Sequence, residues 1–449
     1  MSDGSVIDVQ QFLNAHRFSG FQWLIFALCF AIVFLDGFDT AAIGYIAPAL
    51  VSEWGIDRSA LGPVLTAALF GLSTGALFAG PLADRFGRRM VLVGSVFVFG
   101  AACLASAFSS HLTELIIWRF ITGLGLGAAM PNAVTMMSEY CPDARRAMLT
   151  NTMFCGFPLG AASGGFLAAW IIPQYGWRSV LWLGGIVPLI LTLLLFLFMP
   201  ESIRYMVSSK YPVARIRAAL QRISATVANA SSFIMQEKVT ATKTNNGIRI
   251  IFSNDYVIGT LMLLTAYFMG LVIFYSMINW MPVLFKDAGL SQGTAAVITA
   301  LFPLGGVWAV LSGWLMDRFS ANLTVAICFA LTGLGVWSIG QAGADIALLA
   351  SLVLIAGILL NTAQTSLPSL AAAFYPTQGR ATGVAWMMAL GRFGGIAGSF
   401  LVAELARRNL SLREIFTGMA VPGFIAAGAL LVKQFLSRED KAVYSEAKL

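Results

Sequence analysis

Asp36 and Asp39 stand three residues apart and are the only charged residues between Arg17 and Glu53, a stretch that otherwise reads as membrane. A charge at the centre of a membrane helix costs about 2.5–3.5 kcal/mol, and residues that bear this cost mark ion or proton pathways. A spacing of three puts both carboxylates on one helical face. Counting about 1.5 Å per residue from Trp23, Asp36 lies roughly 20 Å into an apolar core about 30 Å thick. Desolvation and mutual repulsion disfavour charging the second carboxylate. One of the pair is therefore expected to hold a proton near neutral pH, as a proton carrier must. A purely structural pair neutralised by Arg119 is the other reading.

Two arginines also lie deep within spans. Arg119 sits roughly 10 Å into its span and Asp39 about 17 Å from the same side, so an ion pair requires favourable helix tilt. Arg392 is about 17 Å from the other side, near the midplane. Its neighbours Gly391, Gly394 and Gly395 are expected to leave open space around it. A guanidinium grips a carboxylate through a planar, two-toothed fork. No acidic residue of the second half falls at midplane depth to meet it. An anionic cargo is one partner for Arg392 and a structural role the alternative.

The elements that position these groups are membrane helices. The chain of 449 residues is 58% hydrophobic and 11% charged, with mean hydropathy +0.80, against about 25% charged in soluble domains. Stretches of about 20 apolar residues predict twelve spans: 22–50, 59–82, 89–109, 112–137, 146–171, 177–199, 256–284, 291–315, 323–342, 345–373, 380–403 and 412–436. The fold class is an all-α membrane protein with twelve transmembrane helices in two six-helix bundles. The division is an N-terminal segment 1–21, a bundle 22–199, a linker 200–255, a bundle 256–436 and a tail 437–449. No cleavable signal peptide is apparent, because the apolar run from Phe21 to Val51 is too long for one. Five cysteines without paired spacing and only two histidines argue against a disulfide framework or a metal site. No cofactor is expected.

With the N-terminus inside, 20 Lys and Arg fall on the cytoplasmic side and 6 on the outer side. The positive-inside rule then puts both termini in the cytoplasm. The net charge of +7 follows from this bias and does not require nucleic acid.

The halves repeat. Gly80-Pro-Leu-Ala-Asp84-Arg85-Phe86 recurs as Gly313-Trp-Leu-Met-Asp317-Arg318-Phe319, an offset of 233 residues, and Pro142 to Arg146 recurs near Pro376 to Arg380. A duplicated six-helix unit is the parallel repeat of transporters that rock two halves around a midplane site. Ser320-Ala321-Asn322 replaces the Gly-Arg-Arg end of the first copy, so the second loses that basic cluster. Small-residue patterns, Gly71 with Gly75, Gly123-Gly125-Gly127, Gly160 with Gly164 and Gly394 with Gly398, predict close helix approach.

Gly80-Pro-Leu-Ala-Asp84-Arg85-Phe86-Gly-Arg88-Arg89 resembles the loop signature of the major facilitator superfamily, and Pro200-Glu201-Ser202-Ile203-Arg204 resembles a motif of its sugar and organic-ion branches. Asp36-Gly-Phe-Asp39-Thr, the run from Arg119 to Asn132, Tyr375 to Gly383 and Gly391-Arg392-Phe-Gly are similar to the aromatic acid/proton symporters within it. The resemblance implies transport roles for Asp36, Asp39, Arg119, Glu139, Arg380 and Arg392, and a bacterial inner membrane. Tyr275, Asn279, Trp280, Asn361, Gln364 and Trp386 are candidates to complete an aromatic-acid site. Asn361 and Gln364, three apart, suit a ring hydroxyl, although Tyr and Trp also favour membrane interfaces. Asp84, Arg85, Arg88 and Arg89, with Glu139, Arg145, Arg146, Glu201, Arg204, Asp317, Arg318 and Arg380, read as a cytoplasmic latch biasing a two-state equilibrium. Asp84 is expected to cap or pair near a helix end.

The leading expectation is inward symport of an aromatic carboxylate with protons by a monomer in the lipid bilayer. A proton-coupled exporter and a membrane sensor of aromatic acids are the alternatives. An enzyme is disfavoured, because no nucleophile–base pairing or metal cluster appears. The ring substituents are not legible.

Overall fold

The computed structural model describes residues 6–227, 230–234, 249–254, 256–310, 320–343 and 345–446. Helices dominate. A strand β1 (Val6–Asp8) and helix α1 (Val9–Ala15) lead into α2 (Gly20–Trp54), α3 (Leu61–Phe86), α4 (Arg88–Ser106), α5 (Leu112–Glu139), α6 (Asp143–Phe154), α7 (Gly156–Tyr175) and α8 (Arg178–Phe198). The linker carries α9 (Ile203–Ser208), α10 (Val213–Gln221) and β2 (Ser232–Ile234). Then follow α11 (Val257–Asp287), α12 (Gln292–Leu304), α13 (Ala321–Gln341), α14 (Ile346–Phe374), α15 (Thr377–Gly391), α16 (Phe393–Arg407) and α17 (Leu412–Glu446).

Among the described residues, eleven segments are long and apolar enough to cross a membrane. The remaining expected span, 291–315, begins as α12 and continues as a 3-10 turn over Gly305–Val310; its end lies outside the described residues. The helical expectation has one small exception: β1 and β2 pair in parallel, Val6 opposite Ser232.

Two spans carry a one-residue irregularity whose φ and ψ stay helical, at Cys155 and at Arg392. α6 and α7 part at Cys155 because Pro158 has no N–H to offer the Phe154 carbonyl. α15 and α16 part at Arg392.

The chain folds into two compact units. The first holds Met1–Thr40, Phe70–Gly160 and Leu181–Thr240. The second holds Ala41–Leu69, Ala161–Val180 and Ala241–Leu449. In the first, α4 lies along α5; in the second, α17 packs on α13 and α11, and α11 on α16.

The small-residue patterns are where backbones meet. A Cβ on Gly127 of α5 would come within 2.1 Å of the Leu72 carbonyl oxygen, and one on Gly160 within 1.8 Å of that of Phe34. A Cβ on Gly394 would meet the Phe268 carbonyl at 2.2 Å. Gly127→Ala is expected to destabilise by about 1–3 kcal/mol, as overpacking does. A lowered Tm in detergent checks this, and an unchanged Tm would show that α3 and α5 can separate freely.

Candidate functional site

In the first unit, α2 and α5 bring Asp39 and Arg119 together. The guanidinium donates through two nitrogens to the two carboxylate oxygens at 2.7 and 2.8 Å, and to the Asp39 carbonyl at 3.3 Å. Both residues are buried, at 1% and 0% exposure. The depth mismatch expected from helical rise is thus closed, and the fork is two-toothed. Asp36, at 3% exposure, is buried one turn away on the same helix. Two carboxylates therefore share the neighbourhood of one arginine.

Sequence reasoning missed Cys103 of α4. Its thiol donates to Asp39 Oδ1 at 3.4 Å, beside the Leu181 carbonyl at 3.6 Å. A lone cysteine in an apolar run gives no signal of this.

In the second unit, Arg392 stands half-buried at the irregularity between α15 and α16. It makes no ion pair among the described residues. The space expected beside its glycines is filled by α11. A Cβ on Gly391 would lie 2.2 Å from the Tyr267 ring, and one on Gly395 would lie 2.5 Å from the Tyr275 ring. The glycines admit α11 rather than leaving a void.

Tyr267, also missed from sequence, lies within electrostatic reach of Arg392. Gln364 of α14 donates to the Tyr267 carbonyl at 3.2 Å. Its buried Oε1 has no hydrogen-bond partner among the described residues. Gln364, Tyr267 and Arg392 thus form one neighbourhood. Asn361 donates to the Gly357 carbonyl at 2.8 Å within its own helix.

The other candidates are spread out. Asn279 donates to Ser399 Oγ at 3.1 Å, and the Trp280 indole to the Ser399 carbonyl at 3.1 Å, both fully buried in the α11–α16 seam. Trp386 is 38% exposed and lies edge-on to Phe252, so it does not join Arg392.

The loop between α3 and α4 forms a charged clasp. Arg88 meets Glu139 at 3.2 Å, and Ser202 donates to the other Glu139 oxygen. Glu201 accepts from the backbone N–H of Arg89 at 3.1 Å, capping the start of α4. Gly87 has φ +90°, and a Cβ there would lie 2.5 Å from Glu201, so glycine is required twice over. Arg89 donates to the Phe196 carbonyl.

Arg146 binds the Ser138 carbonyl at 3.0 Å and Gln10 at 3.1 Å. Arg204 is half-buried near Glu139, while Arg85, Arg145 and Arg380 are exposed. The expected capping or pairing of Asp84 is corrected. Asp84 is exposed without a hydrogen bond or ion pair among the described residues. It sits in the last turn of α3, where no free N–H remains to cap. Asp317 and Arg318 lie outside the described residues.

Part of the clasp has a counterpart in the second unit. Asn322 and Gln434, each 233 residues after Arg89 and Glu201, meet through Asn322 Nδ2 and Gln434 Oε1 at 2.9 Å. Lys433 donates to Asn322 Oδ1 at 2.9 Å.

A last group was legible only as loop charges. Within the second unit, Arg58 pairs with Asp287 at 2.7 Å, and Lys286 donates to the Pro48 carbonyl at 3.1 Å. Glu53 takes Arg178 at 2.5 Å and the Trp177 indole at 2.7 Å. Among the described residues, no three His, Cys, Asp or Glu cluster as a metal site would require.

Residues 29–399 match the model of the Major Facilitator Superfamily. The chain is 50% identical to the 4-hydroxybenzoate transporter PcaK of Pseudomonas aeruginosa, covering 97% of each. It is 44% identical to a gallate transporter of Pseudomonas putida, covering 95% of this chain and 94% of that one. The fold resembles a D-xylose–proton symporter, with TM-score 0.69 and 21% identity, over 91% of this chain and 97% of the other.

Proposed function

The chain belongs to the Major Facilitator Superfamily and is a multi-pass membrane transporter, not an enzyme, and we propose that it carries an aromatic carboxylate inward with protons. The observation that carries this reading is Arg392, a midspan arginine with no ion-pair partner among the described residues. A cation in that position calls for an anion, and the cargo supplies it. Relatives that share 44–50% identity are named for 4-hydroxybenzoate and gallate, which are carboxylates on hydroxylated rings. The unsatisfied Gln364 Oε1 accepts from a ring hydroxyl, and Tyr267 flanks the ring.

Asp39 is committed to Arg119, and Asp36, one turn away, is the carboxylate that takes and releases the proton. Protonation removes its charge and lets the loaded carrier move without a buried anion. Both termini face the cytoplasm by the charge bias, in a bacterial inner membrane, and the carrier works as a monomer. The ends of α2 and α11 that meet at Arg58 and Asp287 then face outward. Asp84, exposed at the other end of α3, is the charge that the cytoplasmic clasp engages in the other state.

Proteoliposomes with an imposed proton gradient test the reading: labelled 4-hydroxybenzoate accumulates only when the gradient points inward. Asp36→Asn is expected to keep counterflow exchange and to lose accumulation. Each net positive charge entering is worth about 2.3 kcal/mol per 100 mV, roughly fiftyfold. Wild-type accumulation in that variant would remove Asp36 from the proton path.

A further inference from the structure

A cavity of about 480 Å³ lies in the second unit, between the end of α2 and the end of α11. It is lined by Pro48, Val51, Ser52, Arg58, Val283, Lys286 and Asp287. The volume exceeds what a single-ring acid occupies, and three of the lining residues are apolar. The charges do not balance: Arg58 is met by Asp287 at 2.7 Å, but Lys286 has only the Pro48 carbonyl, at 3.1 Å, among the described residues. One net positive charge remains beside the apolar lining residues. Glu53, the nearest other carboxylate along α2, is held by Arg178 and Trp177.

We propose that this cavity is an entry site for aromatic monocarboxylates, separate from Arg392, where the arriving carboxylate replaces Asp287 on Arg58. This rests on the cargo class proposed above. Arg58 and Asp287 are 29% and 44% exposed, and ion pairs this open are weak. A second carboxylate can therefore compete for the same fork, while Lys286 raises the local anion concentration. Displacement of Asp287 frees α11 from the Arg58 segment. The cargo thereby loosens the Arg58–Asp287 contact, and binding and release of that contact become one event.

The test is protection of an introduced thiol. Ser52→Cys in proteoliposomes is labelled by a membrane-impermeant maleimide with and without millimolar 4-hydroxybenzoate. Protection is expected to persist when Arg392→Ala is added, because the entry site does not use Arg392. Adding Lys286→Gln is expected to raise the half-protecting concentration about threefold or more. Adding Asp287→Asn is expected to lower it, by removing the competitor. Lys286→Arg is expected to retain protection, which guards against a folding artefact.

Loss of protection in the Arg392→Ala background would overturn the proposal, as would equal values for Lys286→Gln and Asp287→Asn. If the otherwise unaltered carrier neither transports nor is protected by any aromatic acid, the cargo assignment itself fails. If it transports normally but protection needs Arg392, only the entry site fails.

Discussion

Arg392→Lys is expected to raise the 4-hydroxybenzoate concentration for half-maximal uptake roughly 10- to 100-fold while keeping the positive charge. The magnitude follows from losing one of two charge-assisted hydrogen bonds, each worth about 1.5–3 kcal/mol, at about 1.36 kcal/mol per decade. Lysine offers a compact point charge where arginine offers a planar fork. The setting sharpens the effect: Arg392 stands where α15 ends and α16 begins, held between glycines that seat Tyr267 and Tyr275. A lysine there keeps the charge but not the fork that grips both carboxylate oxygens. Initial-rate uptake against concentration is the measurement. An unchanged half-saturation value would mean that Arg392 does not touch the cargo and serves the helix junction instead.

The second large effect concerns Arg119. Arg119→Gln leaves Asp39 charged, buried and without its fork, and removing one partner of a buried pair costs about 3–5 kcal/mol. That is a large fraction of a typical folding stability of about 5–15 kcal/mol. Lost yield or a sharply lowered Tm is therefore expected. The double variant Arg119→Gln with Asp39→Asn replaces the ion pair by two neutral amides. It is expected to recover most of the stability, because replacing both partners costs far less than stranding one. Uptake is expected to stay absent in both. A single variant as stable as the native protein would mean that water reaches the pair; a double variant that transports would make the pair structural alone.

Much of this was legible in the sequence because membranes restrict the options. Long apolar runs must be helices, so the spans could be counted and the deep charges picked out by eye. Asp36, Asp39, Arg119 and Arg392 announced themselves as costly exceptions. What stayed hidden was lateral. Helical rise gives depth but not azimuth, so the Asp39–Arg119 reach was uncertain until α2 and α5 were seen side by side. Cys103 and Tyr267 carry no charge, and nothing in their neighbours distinguishes them from packing residues. The space inferred around Arg392 was wrong for a general reason: a glycine in a membrane helix more often admits a neighbouring helix than leaves a void. Arg58 and Asp287 were visible only as loop charges, because their pairing spans 229 residues of chain.

The clasp and its counterpart have a consequence for how such a carrier responds to its surroundings. At Arg89 and Glu201 the contact includes a carboxylate, whose charge salt can screen. At the matching positions Asn322 and Gln434 meet amide to amide, and the Lys433 ammonium donates to Asn322 Oδ1. A gene that doubled its frame has thus kept a carboxylate at one joint and an ammonium at the other. The two joints therefore carry opposite charge, and a symmetric scaffold acquires halves that answer differently to their surroundings.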